Sequence, residues 1–388
     1  MKTYKLRDLV KINIGKTYKH LKNGNIPVYG SGGIISYVDQ YIFSKESILL
    51  PNVYSPSNII YINQPFWTID TMFWTEVKSD IVYPKYLYFY LKLLNFSHSL
   101  TGSILPRVTR EKYYDITVKI PDLNVQKNIL DILEPIDSKI ELNNKINDNL
   151  IKQIQRIYDN WFLKFNFPND DNKSYKNNGR EFIFNEIIGK KIPVNWKVES
   201  IFENELTEII SPGIDNFEDK KMYYATKQIQ NMDIQSGEYI SYINRKSRAN
   251  MQPISNSVWF AKMKNSIKHL FIRNNMGFML NNGILSTGFC GLKCNNDSFE
   301  YLASVILQPN FEFQKDSLSH GATQQSINNE DLKYIKLLVP DRKTLQKYHE
   351  LTGPIFCKIT KNMCENIRLI DLKNTLLPLL MNNQVTID

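Results

Sequence analysis

The chemistry open to a chain is bounded by the side chains it brings within reach of one another, and here the reactive types are sparse and scattered. Asp70, Glu76 and Lys78 have the outline of an acidic residue followed by Glu-x-Lys, a set that metal-assisted hydrolysis uses. Read as one alternating strand, the stretch from Asp70 to Glu76 spans roughly 20 Å, too far for a shared metal, and a solvated strand end is the better reading. The histidines, at 20, 98, 269, 320 and 349, lack the near-neighbour spacing of metal or acid-base pairs and read as surface or loop residues. The cysteines, at 290, 294, 357 and 364, match no zinc pattern and predict reduced thiols. Gly30-Ser31-Gly32-Gly33 could cradle a phosphate, yet no Gly-Lys-Ser/Thr follows and Ile34-Ile35 resumes a strand, so a hairpin turn accounts for it better. Methyl transfer to adenine in the usual manner needs an Asp/Asn-Pro-Pro-aromatic turn, and the sequence holds no Pro-Pro pair. No catalytic residue, metal site or cofactor is therefore expected in this chain.

The charge balance is compatible with a polyanionic partner. Lys and Arg total 48 against 39 Asp and Glu, a net charge of +9 that is spread along the chain and not gathered in a tail. Polar loop residues able to reach phosphates or base edges fall in clusters. Lys16, Thr17, Lys19 and Lys22 follow an early turn, and Arg107 and Arg110 follow Gly102-Ser103. Farther on, Arg245, Lys246 and Arg248 form one group and Lys262, Lys264 and Lys268 another. Gln324-Gln325-Ser326 occupies the loop that corresponds to Leu105-Pro106-Arg107. Glutamine can bond adenine through two hydrogen bonds and arginine can do the same with guanine, so if the partner is DNA these two loops are the preferred base readers. For any single one of these charges, solvated surface is a commoner role than base contact.

The elements that must position them occur twice. Gly102 matches Gly321, Glu111 matches Glu330, Ile116 matches Ile335, and Ile120-Pro121-Asp122 matches Val339-Pro340-Asp341, all at a constant offset of 219 residues. The match continues through Pro135-Ile136 with Pro354-Ile355, Lys139-Ile140 with Lys358-Ile359, and Asn143 and Asn147 with Asn362 and Asn366. Upstream it persists with shifting offsets: Tyr86-Leu87 with Tyr301-Leu302, Thr71 and Phe73 with Thr287 and Phe289, Tyr4-Lys5 with Trp196-Lys197. So long a period implies a folded domain followed by a connector, used twice. The first half predicts strands at 26–29, 34–38, 47–50, 58–62, 67–74 and 115–120 with a helix over 85–94; the second predicts strands at 239–243, 257–262, 269–273 and 284–291 with a helix over 299–307.

Each copy ends in a heptad seam. The first runs Ile129, Ile136, Asn143, Leu150, Ile157, interleaved with Leu133, Ile140, Asn147, Ile154 and Trp161. The second runs Tyr348, Ile355, Asn362, Leu369, Leu376, interleaved with Thr352, Ile359, Asn366, Lys373 and Leu380. About 40 helical residues reach roughly 60 Å. Pro135 and Pro354 are expected to kink each helix or to mark its true first turn. An antiparallel pair puts Asn143 and Asn147 beside Asn362 and Asn366, where amides can satisfy one another and fix register; amides facing solvent on partly exposed helices are the alternative. The expected fold is α+β: two similar strand-rich domains, 1–121 and 193–340, with long helices at 122–165 and 341–381, a linker at 166–192 and a tail at 382–388. Met1 to Asn13 contain no apolar core of a secretory signal, and no stretch approaches the roughly 20 apolar residues of a membrane span, so a soluble cytoplasmic chain is expected.

These residues resemble the specificity subunits of type I restriction-modification systems. Asn13-Ile14-Gly15-Lys16-Thr17 and the run Ile26 to Ile34 look like the start of a target recognition domain in that family. Gly179-Arg180-Glu181-Phe182, continuing through Glu186 to Trp196, is similar to the segment by which the family enters its second one. The resemblance implies that each domain reads one half of a bipartite double-stranded DNA target and that the helices set the spacing and dock methylase subunits, two being expected. Those partners would bind S-adenosylmethionine and methylate adenine, and restriction subunits, with ATP and magnesium, would join through them. A helical scaffold whose globular ends bind proteins is the competing reading, and a self-contained restriction or modification enzyme is a third.

Overall fold

The computed structural model of the chain describes residues 1–52, 59–94, 108–169, 171–179, 181–382 and 384. It divides into two compact units, Met1–Asp137 with Leu372–Asp388, and Ser138–Asp371. Both long helices are cut by that division, so each unit holds a globular part and a piece of each helix.

The first unit contains β1 (Lys2–Lys5), α1 (Leu6–Leu9), β2 (Val10–Ile14), β3 (Asn23–Gly30), β4 (Gly33–Val38), β5 (Ser47–Pro51), β6 (Ile60–Ile62), β7 (Trp67–Thr68), β8 (Met72–Val77), α2 (Pro84–Leu93), α3 (Arg110–Tyr114), β9 (Thr117–Ile120) and the start of α4 (Leu123–Tyr158). Its sheets run β2-β8-β5-β6, β4-β3-β7 and β1-β9. The second unit contains β10 (Phe182–Asn185), β11 (Lys190–Pro193), β12 (Lys197–Ser200), β13 (Thr207–Ile210), β14 (Lys221–Tyr224), β15 (Ile229–Gln230), β16 (Asp233–Ile234), β17 (Glu238–Ile240), β18 (Ala249–Met251), β19 (Ser257–Ala261), β20 (His269–Ile272), α5 (Gly277–Asn282), β21 (Gly283–Ser286), β22 (Phe289–Cys294), α6 (Phe299–Ile306), α7 (Pro309–Ser317), β23 (Lys336–Val339) and most of α8 (Arg342–Met381). Its sheets run β13-β22-β19-β20, β17-β14-β21-β18 and β12-β23, the order of the first unit with one strand added, together with the small pairs β10-β11 and β15-β16.

The duplication is therefore one of topology. In each unit a fully buried strand, β5 or β19, lies at the centre of the four-stranded sheet. The helix that follows, α2 or α6, seats Tyr86-Leu87 or Tyr301-Leu302 wholly in the core, each large apolar side chain stabilising by about 1.5–3 kcal/mol. Pairing also corrects one sequence match. Lys2 stands opposite Ile120 and Lys197 opposite Val339, so the equivalent of Lys197 is Lys2, three residues before the expected Lys5. An aromatic-lysine dipeptide drew the match; strand register decides it.

Two expected strands are each broken. The run 67–74 divides into β7, parallel to β3, and β8, antiparallel to β2 and β5; the run 284–291 divides likewise into β21 and β22. At each break the chain leaves one sheet for another. Asp70 lies in the first break, so it shares no strand with Glu76. Glu76, on β8, is paired to Lys11 at 3.0 Å and accepts from Asn13 at 2.9 Å.

The expected linker is folded as well: β10 and β11 form a hairpin, Phe165 and Phe167 lie against Trp196, and the Lys347 ammonium donates to the carbonyls of Pro168 and Asn169. The Pro-Asp junctions are helix caps, for the Asp122 carboxylate accepts from Val125 N–H and the Asp341 carboxylate from Thr344 N–H, each at 3.0 Å. Pro135 and Pro354 lie inside α4 and α8, which run on through them, so neither marks a first turn. The side chains around Pro135, Leu130, Leu133 and Ile136, are buried, and such packing offsets one lost backbone bond per proline.

Within each unit the two helices lie antiparallel. In the first, Lys373 pairs with Asp137, and Ile129, Leu130 and Leu133 share a core with Leu377 and Leu380. In the second, Asn143 donates to Asn366 Oδ1 at 2.9 Å, Asn366 to Asn144 Oδ1 at 2.6 Å, and Asn362 to Asn147 Oδ1 at 2.8 Å. Asn143 also donates to Glu365 and holds its carboxyl below the ordinary carboxylate range, with Lys139 adding its charge. Ile136, Ile154 and Ile359 are buried, while Ile140, Leu150, Ile355 and Leu369 are half-buried. Phe356, Met363 and Ile367 lie deeper than those last two, because α8 packs on a globular core as well as on α4.

Burial, reinforced by the charge of Asp148, pushes the Asp233 carboxyl up to about 6. That is above the value of an unfolded chain, near 4, so Asp233 favours the fold when protonated and this contribution is lost as pH rises through about 6. Asp233→Asn is expected to stabilise the chain by about 1–2 kcal/mol at pH 7–8 and by nothing below about pH 4, as read from melting temperature against pH; a gain independent of pH would contradict the assignment.

Candidate functional site

Where the chain changes sheets in the first unit, its backbone is bonded by the surrounding loops. Lys16 N–H donates to Thr68 C=O at 2.8 Å, Ile69 N–H to Tyr29 C=O at 3.1 Å and Asn52 N–H to Thr71 C=O at 3.1 Å. Ser31 N–H reaches Thr71 Oγ1 at 3.3 Å, and the Asn52 amide donates to Asp70 C=O at 2.9 Å. Val108 N–H closes the ring on Asn52 C=O at 2.7 Å. The turn Ile69–Thr71 is thus a hub for the loops after β2, between β3 and β4, after β5 and before α3.

Lys16, Thr17, Lys19 and Lys22 stand exposed on the first of those loops. The Trp67 indole N–H holds Lys16 C=O at 2.8 Å, His20 sets its edge on the Trp67 ring, and Lys22 N–H donates to the Asp39 carboxylate at 3.1 Å. Gly15 is required here: a Cβ on it would stand 2.1 Å from the Ile69 carbonyl oxygen. Arg110 opens α3 behind its Thr109 cap and is half-buried. Arg107 lies outside the described residues.

The second unit repeats the arrangement around Thr287–Gly288. Thr287 N–H donates to Arg248 C=O at 2.9 Å and Lys262 N–H to Gly288 C=O at 2.9 Å. Ile327 N–H then donates to Lys262 C=O at 3.0 Å and Lys264 N–H to Gln325 C=O at 2.9 Å. Both basic groups and the glutamine loop therefore meet at one turn. The Lys264 ammonium reaches Gln325 Oε1 at 2.9 Å, leaving the Gln325 amide hydrogens to donate elsewhere. Gln324 and Gln325 are exposed; Ser326 is half-buried and exchanges backbone bonds with His320 at 3.0 and 3.1 Å.

The basic residues differ in what they do locally. Arg245 stacks its guanidinium 3.9 Å from the Tyr242 ring centroid and donates to Tyr242 C=O. Lys246 is bonded to Glu238 at 2.7 Å, which pushes its ammonium up, while Arg248 is exposed. Lys262 and Lys264 are half-buried. Lys268 donates to Thr226 C=O at 2.6 Å, and burial draws its ammonium down. Chemically the cluster offers amide and guanidinium donors and several cations on a scaffold fixed by main-chain bonds, a set suited to phosphates and base edges.

Sequence reasoning missed the two hub turns, although Gly288 inside an apolar run is a signal of a break. It also misplaced His269, which is buried on β20 and bonded to Glu312 at 2.8 Å, a partner too distant in sequence for spacing to reveal. His98 lies outside the described residues. Among the described residues no group of three His, Cys, Asp or Glu is placed to hold a metal ion, and no helix is long and apolar enough to cross a membrane.

Comparison with known proteins bears on the same chain. Residues 1–152 match the family model described as type I restriction modification DNA specificity domain. The chain is 23% identical over 368 residues to the type I restriction enzyme MjaIX specificity subunit of Methanocaldococcus jannaschii, covering 89% of this chain and 79% of that one. It is 22% identical over 385 residues to the type I restriction enzyme HindI specificity subunit of Haemophilus influenzae, covering 80% and 79%. Among solved structures it is similar to the type I restriction-modification S subunit from M. genitalium, with a TM-score of 0.46, 14% identity and coverage of 98% and 95%.

The close approach at Gly15 generates a test. Gly15→Ala is expected to cost about 1–3 kcal/mol in denaturant unfolding and to speed amide exchange at residues 16–22 and 69–71. Unchanged exchange there would show that the loop is not held by this contact.

Proposed function

We propose that the chain is a type I restriction-modification specificity subunit and that each of its two globular parts reads one half of a bipartite double-stranded DNA target for such a complex. The observation that carries the reading is the repeated hub: the same strand order, twice, gathers basic and amide-bearing loops around the turn at which the chain changes sheets. The chain itself catalyses nothing. Methylase subunits, two per chain, dock on the paired helices, bind S-adenosylmethionine and methylate adenine. Restriction subunits, with ATP and magnesium, join through the methylase. The complex works in the cytoplasm.

A gel shift with randomised duplex in the presence of the methylase partner tests this against a scaffold that binds only proteins. Selection of a bipartite motif is the expected result, and binding without sequence preference would favour the scaffold. Neither cleavage nor methyl transfer is expected from this chain alone when supplied with magnesium and S-adenosylmethionine.

The glutamine loop gives a residue-level expectation. Replacing Gln324 and Gln325 with Ala should relax one half-site and leave the other intact, at about 1–3 kcal/mol per lost two-bond contact. Methylation unchanged at both half-sites would count against this loop as a reader.

The helix pair gives a geometric one. Lys145 and Cys364 fall midway between the bonded pairs Asn143–Asn366 and Asn147–Asn362, so insertions after them face each other. Seven residues added at both points keep the seam in phase and lengthen each helix by about 10.5 Å. That equals roughly three base-pair rises of about 3.4 Å. The variant should keep both half-site sequences and change only the distance between them, as read from the methylated motif; an unchanged spacer would show that the helices do not set it.

A further inference from the structure

Between β19 and β20 the chain runs off the sheet through residues 262–268, the tip that carries Lys262, Lys264 and Lys268. The last ladder bond is Ala261 N–H to Lys268 C=O at 3.0 Å, and beyond it the tip must find other partners for its backbone. Lys262 and Lys264 find theirs in the hub turn and the glutamine loop, and Met263, Asn265 and Ser266 find theirs beneath. Lys315, on α7, is completely buried, and its ammonium donates to Met263 C=O and Ser266 C=O at 3.3 Å each and to the Glu312 carboxylate at 2.5 Å. Asp316 lies 3.3 Å from the same ammonium and accepts from Asn265 N–H at 3.0 Å. Glu312 turns its other oxygen to the buried His269, the first residue of β20, at 2.8 Å.

A buried ammonium is costly unless every proton is used, and here two of the groups it serves are carbonyls of a loop whose upper side is basic. Burial would raise the Glu312 carboxyl; hydrogen bonds from His269 and Lys315 outweigh it and hold the group below the ordinary carboxylate range, so the anion persists. Asn265 takes a φ of 55°, a left-handed conformation that the bond to Asp316 helps to hold.

We propose that Lys315 is a positioning residue for DNA reading by the second unit: it touches no DNA, and it fixes from below the backbone of the 262–268 tip that presents Lys262, Lys264 and, through them, Gln325. This rests on the DNA-reading function proposed above. Three neighbouring lysines repel one another, and a tip without its inward bonds would spread; with them its side chains keep one arrangement relative to the glutamine loop.

The test uses the full chain with its methylase partner. Lys315→Met removes the ammonium together with its hydrogen bonds to the tip, and Lys315→Met with Glu312→Gln removes both members of the closest ion pair so that Glu312 is not left as an unpaired buried charge, which guards against a variant that fails to fold. Both are compared with the parent for melting temperature, for amide exchange of 262–268, and for the motif selected from randomised duplex. The expected result is faster exchange at the tip and at least a tenfold loss of base discrimination in one half-site. The other half-site stays as it was, and the double variant loses less in melting temperature than Lys315→Met alone. A tip that loosens while both half-sites stay fully selective, or one that does not loosen, overturns the inference. Were the parent to select no motif at all, the DNA-reading function would fall first and take the inference with it.

Discussion

Backbone polarity is the constraint on which the rest depends. Where the chain steps from one sheet to another, at Ile69–Thr71 and at Thr287–Gly288, peptide groups leave their ladders and need new partners. In both units those partners are peptide groups of the adjoining loops, with a few short side chains such as Asn52 and Thr71 completing the set. The need to satisfy buried N–H and C=O groups therefore draws separate loops to one place. A cluster of exposed amides and cations follows from the folding requirement itself.

The paired helices answer a different requirement. Each carries an apolar stripe too long to leave in water, and the stripe alone would tolerate slippage by a heptad. The amides of Asn143, Asn147, Asn362 and Asn366 remove that freedom, because a slipped pair would bury them against apolar side chains. Glu365 and Lys139 extend the polar layer toward solvent, so the register is marked by hydrogen bonds at its centre and by charge at its edge.

Much of this was legible in the sequence where the signal is periodic or local. The duplicated unit rests on a string of matches at one offset, and the seams, the Gly30–Gly33 hairpin and the helices near Tyr86 and Tyr301 rest on patterns within a few turns of chain. What was not legible depends on partners far apart. An apolar run such as 284–291 reads the same whether it stays in one sheet or changes sheets, and only the pairing of β21 with β14 and of β22 with β19 tells the two apart. Prolines at 135 and 354 read as kinks or first turns because local propensity disfavours them inside a helix, yet α4 and α8 run on through both, so neither is a first turn. His269 and Glu312 gave no signal at all, since nothing in their spacing brings them together. Individual contact residues were the least legible, because a solvated lysine and a phosphate-binding lysine have the same local sequence.

Loops tied down by their peptide groups have an uncommon property: their anchorage is almost indifferent to spelling. Lys16 and Lys262 are held through their N–H and C=O groups, Lys264 through its N–H, and Arg248 through its carbonyl. None of these bonds would notice a change of side chain. The letters at such positions can be rewritten one at a time while the frame that displays them stands, whereas Gly15, pressed against a carbonyl, cannot be rewritten at all. A molecule built this way keeps its grammar and exchanges its vocabulary.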